Sequence, residues 1–332
     1  MSRLWPAESL AFEESVQRAM ESTGAIEFAR ACERDPTQRS LRLAGLFSDL
    51  GLDELAVDEG EVEAAAAALA ARAAGRVIAP WPLVQRLTAS IAAVKGVTAV
   101  YLTSGSPRRV DHLDVAGPSI AIDVLSGASH SLVPAGEVAY MPLDPFGVPC
   151  QLGAPVDTPA GAASTHIVLS AFWALGAIET AVSASSVYAV ERFQFGRPIG
   201  SFGAVQWRLA DLSVARSALL ELAGFTLAKL CDGTVTLADA LALRLQMLES
   251  CELVLENAHQ VFGAIGLCDE HDLSVIDRHL QSLLRRPLGK TQTVHALSER
   301  VTAEGFDLLY PVRPHRGAER SIVLHAAASS GT

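Results

Sequence analysis

The sequence predicts a mainly α-helical fold: an N-terminal helical domain over 1–97, a reduced β middle domain over 98–156 and a C-terminal four-helix bundle over 157–332. Three observations predict it. Leucine and alanine recur every three or four residues toward both ends of the chain, and the apolar runs shorten only in the middle. Half of the 332 residues are apolar, enough to bury a large core.

In the first part, SLAFEESVQRAM, SLRLAGLFSDLGL and GEVEAAAAALAARAAG each carry the helical period, and the alanine run from Ala64 to Ala68 favours helix strongly. Gly75 reads as a helix stop. The APWP segment from Ala79 to Pro82 forces an extended link, because two prolines do not fit a helix interior. LVQRLTASIAAV then predicts one more helix. From Gly96 to Pro155 the short runs VTAVYL, SIAIDVL and HSLVPA, separated by turn residues, predict a few β-strands. Sixty residues are thin for an independent barrel.

Beyond Ala160 the helical period returns in four candidates: Ser164 to Arg192, Phe202 to Asp232, Thr236 to Gly263, and a more polar set from Glu270 to Val301. Long helices with short connections pack as antiparallel neighbours. Trp173, Phe202 and Trp207 sit at helical spacing and are expected in the core.

Charge and cysteine usage narrow the function classes. With 19% charged residues and a formal net charge of -11, the chain is unsuited to a nucleic acid backbone, which clustered Lys and Arg bind. The five cysteines form no CxxC pair and no metal-ligand spacing, which predicts reduced thiols in a cytoplasm and no metal site. MSRLWPAESLAFEES lacks the features of a secretory signal, and no membrane span is expected.

The stretch ERFQFGRPIGSFGAVQWRLADL, from Glu191 to Leu212, pairs an Arg and a Phe-Gly turn with a Pro-Ile step into a helix bearing Leu-Ala-Asp. It resembles the signature of the acyl-CoA dehydrogenase family. HQVFGAIGLCDEHDLSVIDRHL, from His259 to Leu280, resembles that family's Gln-x-x-Gly-Gly-x-Gly segment, with Ala264 in place of the second glycine. GRVIAPWPL, from Gly75 to Leu83, is similar to the link between the family's early helices. A guanidinium at a helix end can fork onto a diphosphate, and the resemblance implies that Arg192, Gln194, Phe195 and Gln260 reach the adenosine diphosphate half of an FAD held mainly by a neighbouring subunit. It further implies that Gly263 and Gly266 let the backbone approach that cofactor.

The family removes an α-proton with a carboxylate while a β-hydride passes to flavin, so a base is indispensable. The run RRPLGKTQTVHAL puts Leu288 or Pro287 where most members carry their Glu. Where other members carry it, on the first bundle helix, the matching position falls on or beside His166. An imidazole titrates near neutrality, which makes His166 the candidate catalytic residue, against the alternative of a packed histidine on an apolar helix face. The family's loop and strand that cover the flavin ring have no counterpart in the β segment, whose LTSGSPRR reads as a solvated turn. These absences resemble the small chain of heteromeric actinobacterial acyl-CoA dehydrogenases. The resemblance implies a larger homologous partner in a heterotetramer and an acyl-CoA substrate, bulky or steroid-derived. Two alternatives are a stand-alone protein with flavin-free chemistry on a thioester and a non-enzymatic stabilising subunit.

Overall fold

The fold of this chain is a computed structural model that describes residues 5–138, 140–159 and 161–305. The tail from 306, which the sequence assigns to the last domain, lies outside the described residues. Five helices open the chain: α1 (Ala7–Ser22), α2 (Ala25–Arg34), α3 (Gln38–Asp49), α4 (Glu61–Arg76) and α5 (Leu83–Ala92). α2 carries no long apolar period and is bracketed by Thr23-Gly24 and Asp35-Pro36, which hides it in the sequence. It forms because its Ile26, Phe28, Ala29 and Cys32 are buried in tertiary contact.

The middle segment holds β1 (Ala99–Thr103), β2 (Arg109–Asp111), the short helix α6 (Leu113–Ala116), β3 (Ser119–Asp123), β4 (Ser129–Pro134) and β5 (Gly147–Pro155). The strands lie in the order β1-β3-β4-β5-β2, with β1 and β3 parallel and the other pairs antiparallel. The expected solvated turn is only partly solvated. Leu102 and Thr103 belong to β1, and Arg109 opens β2 with an ion pair to Asp144 at 3.3 Å.

The second half comprises α7 (Ala162–Glu191), the two-residue strands β6 (Phe193–Gln194) and β7 (Arg197–Pro198), α8 (Gly203–Cys231), α9 (Leu237–Phe262), α10 (Asp272–Arg285) and α11 (Lys290–Glu304). The polar fourth candidate is thus two helices, parted at Arg286 to Gly289. Thr236 and Asp239 start α9 with reciprocal hydrogen bonds of 3.1 and 2.8 Å, a capping box that contributes about 1 kcal/mol. His271 starts α10 by accepting from the Leu273 amide at 3.1 Å.

α7 is long and apolar enough to cross a membrane, yet 72% of its most apolar stretch is buried. It packs on α4, α8 and α9. Its approach to α4 is close because each contributes a glycine at the crossing. A Cβ on Gly75 would meet the Trp173 carbonyl oxygen at 1.9 Å, and one on Gly176 would meet that of Arg72 at 1.9 Å. The expected helix stop at Gly75 therefore falls inside α4, where the missing side chain serves packing. One apolar core spans the early helices and the bundle, and a second joins α5, β1 and β3 to α7, α9 and α11.

Candidate functional site

The residues singled out in the sequence fall at two separate places, because α7 carries members of both. His166 lies in its first turns and Arg192 just beyond its end. At about 1.5 Å per residue, roughly 40 Å of helix separates them.

At the far end, the chain leaves α7 through Arg192 and turns back in a hairpin whose apex is Phe195 and Gly196, both with positive φ. A non-glycine residue in that conformation is uncommon. Phe195 is 92% exposed and meets the edge of Phe202, with ring centres 6.1 Å apart. Arg192 is exposed, and among the described residues its guanidinium has no partner. Gln194 is exposed too, its amide donating to the Phe193 carbonyl at 2.8 Å.

Gln260, on the last turn of α9, is exposed at this same end. The Tyr188 and Phe262 rings, 4.7 Å apart, tie the two helix ends together. Gly263 turns the chain with φ 64° and is exposed. Gly266 is buried, and a Cβ there would lie 3.0 Å from Phe262 and 3.2 Å from Leu273, a tight contact with two side chains.

Trp207 also departs from expectation, being 75% exposed instead of in the core. The first turns of α8 stand clear of the bundle, and burial along it begins only at Leu212. With Val187, Val190 and Phe193, each more than half exposed, Trp207 gives this end an apolar surface.

His166 lies in the other place, on the wall of a cavity of about 110 Å³ between α5, β1, β2, α7, α9 and α10. Pro287 lines the same cavity, so the two alternative positions for the family's base converge on one space. Leu288 is fully buried in the second apolar core. Burial, with the nearby Arg244 charge, pushes His166 down to about 3. The ring is therefore neutral at physiological pH, and it stands 3.4 Å from the Thr88 hydroxyl. A base so weak is poorly matched to α-proton removal, and these contacts agree with the packed-histidine alternative.

The cavity's other polar groups were not singled out, since chain segments far apart in sequence supply them. Asp111 accepts from Arg286 at 2.6 Å and from the Ser282 hydroxyl at 2.7 Å. Burial resists ionisation of Asp111, but the Arg286 charge and these hydrogen bonds outweigh it and hold the carboxyl below its usual range. The same guanidinium reaches Asp144 at 2.8 Å. His112 receives an Arg39 contact at 2.9 Å, and burial together with that charge keeps its imidazole well below the ordinary histidine range. His279 pairs with the buried Glu33 at 3.0 Å. Each carboxylate here is occupied.

Residues 168–289 match the family model described as acyl-CoA dehydrogenase, C-terminal domain. The chain is 29% identical over 268 residues to the acyl-CoA dehydrogenase IpdE2 of Mycobacterium tuberculosis, covering 75% of this chain and 82% of that one. It is 32% identical over 115 residues to IpdE2 of Mycolicibacterium smegmatis, 35% of each chain. Among solved structures, a chain of the Tcur3481-Tcur3483 steroid ACAD G363A variant superposes with a TM-score of 0.76 at 18% identity, over 89% of this chain and 97% of that one. A chain of the ChsE4-ChsE5 complex from Mycobacterium tuberculosis gives 0.71 at 15% identity, over 89% and 97%. The motif-bearing bundle, the helical, β, helical order and these likenesses agree: residues 168–289 match an acyl-CoA dehydrogenase C-terminal domain, and the chain shares the fold of that family's solved structures and is similar to IpdE2.

Proposed function

We propose that this chain is the smaller subunit of a cytoplasmic, heteromeric, FAD-dependent acyl-CoA dehydrogenase that introduces an α,β double bond into a bulky or steroid-derived acyl-CoA thioester. The observation that carries the reading is the separation along α7. The arginine-aromatic motif is presented outward at one end, and the cavity lacking a free base lies roughly 40 Å away at the other. No single dinucleotide spans that gap, so the motif of this chain serves a flavin whose reactive ring lies against another polypeptide.

The outward end fits an adenosine diphosphate. Arg192 offers a fork of donors for a diphosphate that is unpaired among the described residues, Phe195 offers an open aromatic face, and Gln260 and Gly263 stand at the same end. Bound FAD would supply the acceptor for the β-hydride. The contribution of this chain is binding and positioning, and the apolar surface around Trp207 would seat the larger homologous subunit. The shared fold with chains of the Tcur3481-Tcur3483 steroid ACAD variant and of the ChsE4-ChsE5 complex supports this choice of substrate class and assembly.

The test is co-expression with the larger homologous chain, followed by the flavin absorption spectrum of wild-type and Arg192→Ala complexes. The expected result is fewer flavins than subunits in the wild type and marked flavin loss in the variant. Full flavin retention by Arg192→Ala would instead favour a purely stabilising subunit. A homotetramer of this chain alone with one flavin per protomer and dehydrogenase activity would overturn the proposal.

A further inference from the structure

The guanidinium of Arg244 is a buried charge with no acidic partner among the described residues. α9 carries it to the wall of the cavity described above, where the residue is only 1% exposed. Nε donates to the Leu288 carbonyl at 3.1 Å, and Nη2 donates to the carbonyls of Arg286 at 2.8 Å and Leu283 at 3.2 Å. These bonds close the end of α10 and the segment after it. Nη1 makes no hydrogen bond among the described residues, although it is not among the fully enclosed unpaired atoms.

The one carboxylate on the cavity wall, Asp111, is already held by Arg286 and Ser282. Arg286 is thus matched by Asp111 and Asp144, whereas Arg244, on the same wall, is held only by backbone carbonyls among the described residues. A buried charge is costly unless paired, and among the described residues no carboxylate pairs with Arg244.

We propose that this cavity takes the carboxylate end of a short aliphatic acid, anchored on Nη1 of Arg244. Val84, Leu102, Ile167 and Trp173 supply apolar wall for the carbon chain. At about 110 Å³ the space is somewhat smaller than an engineered cavity of about 150 Å³ that accepts benzene, so it suits a chain of about four carbons. A phosphate, needing donors around three oxygens, is poorly served by one free nitrogen. The proposal rests on the dehydrogenase reading only for what carries the carboxylate, a free acid or the far end of an acyl thioester.

Calorimetric titration of the full chain, alone and in complex with its partner, tests this with butanoate against 1-butanol. Butanoate is expected to bind at least about tenfold more tightly. Arg244→Lys keeps that preference and Arg244→Gln erases it. Because Arg244 also closes α10, Ser170→Leu provides a second arm: it fills the cavity from α7, leaves the guanidinium in place and removes binding of both probes. Succinyl-pantetheine and butanoyl-pantetheine then identify the source. Tighter binding of the succinyl thioester than of butanoate assigns an acyl thioester, and the reverse assigns a free acid. Equal affinity for butanoate and 1-butanol, absence of butanoate binding, or a carboxylate preference that survives Arg244→Gln in a folded protein would each overturn the inference. Flavin content, read on the same complexes by absorbance, separates the two proposals. Flavin retained with no carboxylate preference sinks this one alone, and the opposite pattern sinks only the dehydrogenase reading.

Discussion

Arg286 donates to Asp111 over 2.6 Å and so joins the segment after α10 to the end of β2, on the wall of the cavity. Because the same guanidinium also holds Asp144, removing it leaves two carboxylates facing each other.

Arg286→Met is expected to destabilise the chain by about 2 kcal/mol at pH 7, less than for a fully buried pair because about a quarter of each side chain meets solvent. The sign with pH follows from Asp111, whose folded pKa is depressed by Arg286. Its stabilising contribution is present above the unfolded value and is lost as pH falls through the folded one. Without Arg286 the carboxyls are expected to prefer protonation, so the deficit should shrink as pH falls toward about 4. Urea unfolding of both proteins at pH 7 and pH 4 measures it, and an equal deficit at both would contradict the account.

His166 has its folded pKa depressed to about 3, below the unfolded value of about 6.5. Between those values the unfolded chain binds the extra proton, so stability falls as pH is lowered through that window. His166→Gln should flatten the fall by up to about 1.4 kcal/mol per pH unit. Turnover of the assembled complex should change less than tenfold. A loss of about a hundredfold or more would restore His166 as the base.

The glycine crossing of α4 and α7 predicts a large effect from small changes. Gly75→Ala or Gly176→Ala places a methyl group 1.9 Å from a backbone oxygen of the opposite helix. Overpacking of this kind costs about 1–3 kcal/mol or more. Thermal unfolding of each variant checks it, and a wild-type midpoint would show that the helices separate freely.

Trp207 is expected to matter for assembly and not for folding. Trp207→Asp should leave helical content and stability of the chain nearly unchanged, within about 0.5 kcal/mol, since the side chain lies outside the core. Light scattering should show loss of the complex with the larger subunit. A variant that assembles like the wild type would place the interface elsewhere.

The expectations that held were those resting on long helical periods. α7, α8 and α9 end within two residues of where the apolar spacing and the flanking Gly, Pro and Thr place them. Helix α2 has an apolar face but is only ten residues long, and strand β2 has only three residues, so local spacing does not mark them. β5 contains Pro149 and Gly153, residues that ordinarily argue against a strand, and forms because two neighbouring strands pair with it. Trp207 was misplaced because helical spacing specifies a face without saying whether a neighbour covers it.

The sequence by itself determined the family resemblance and the bundle helices, since local period and motif are carried by adjacent residues. Tertiary structure alone decided that Arg192 and His166 stand at opposite ends of one helix, and that His166 and Pro287 share one cavity with Asp111 and Arg244. Charge balance in that cavity is a property of groups brought together from β2, α7, α9 and the end of α10. Spacing along the chain carries no record of it, because burial and pairing arise only when those elements pack.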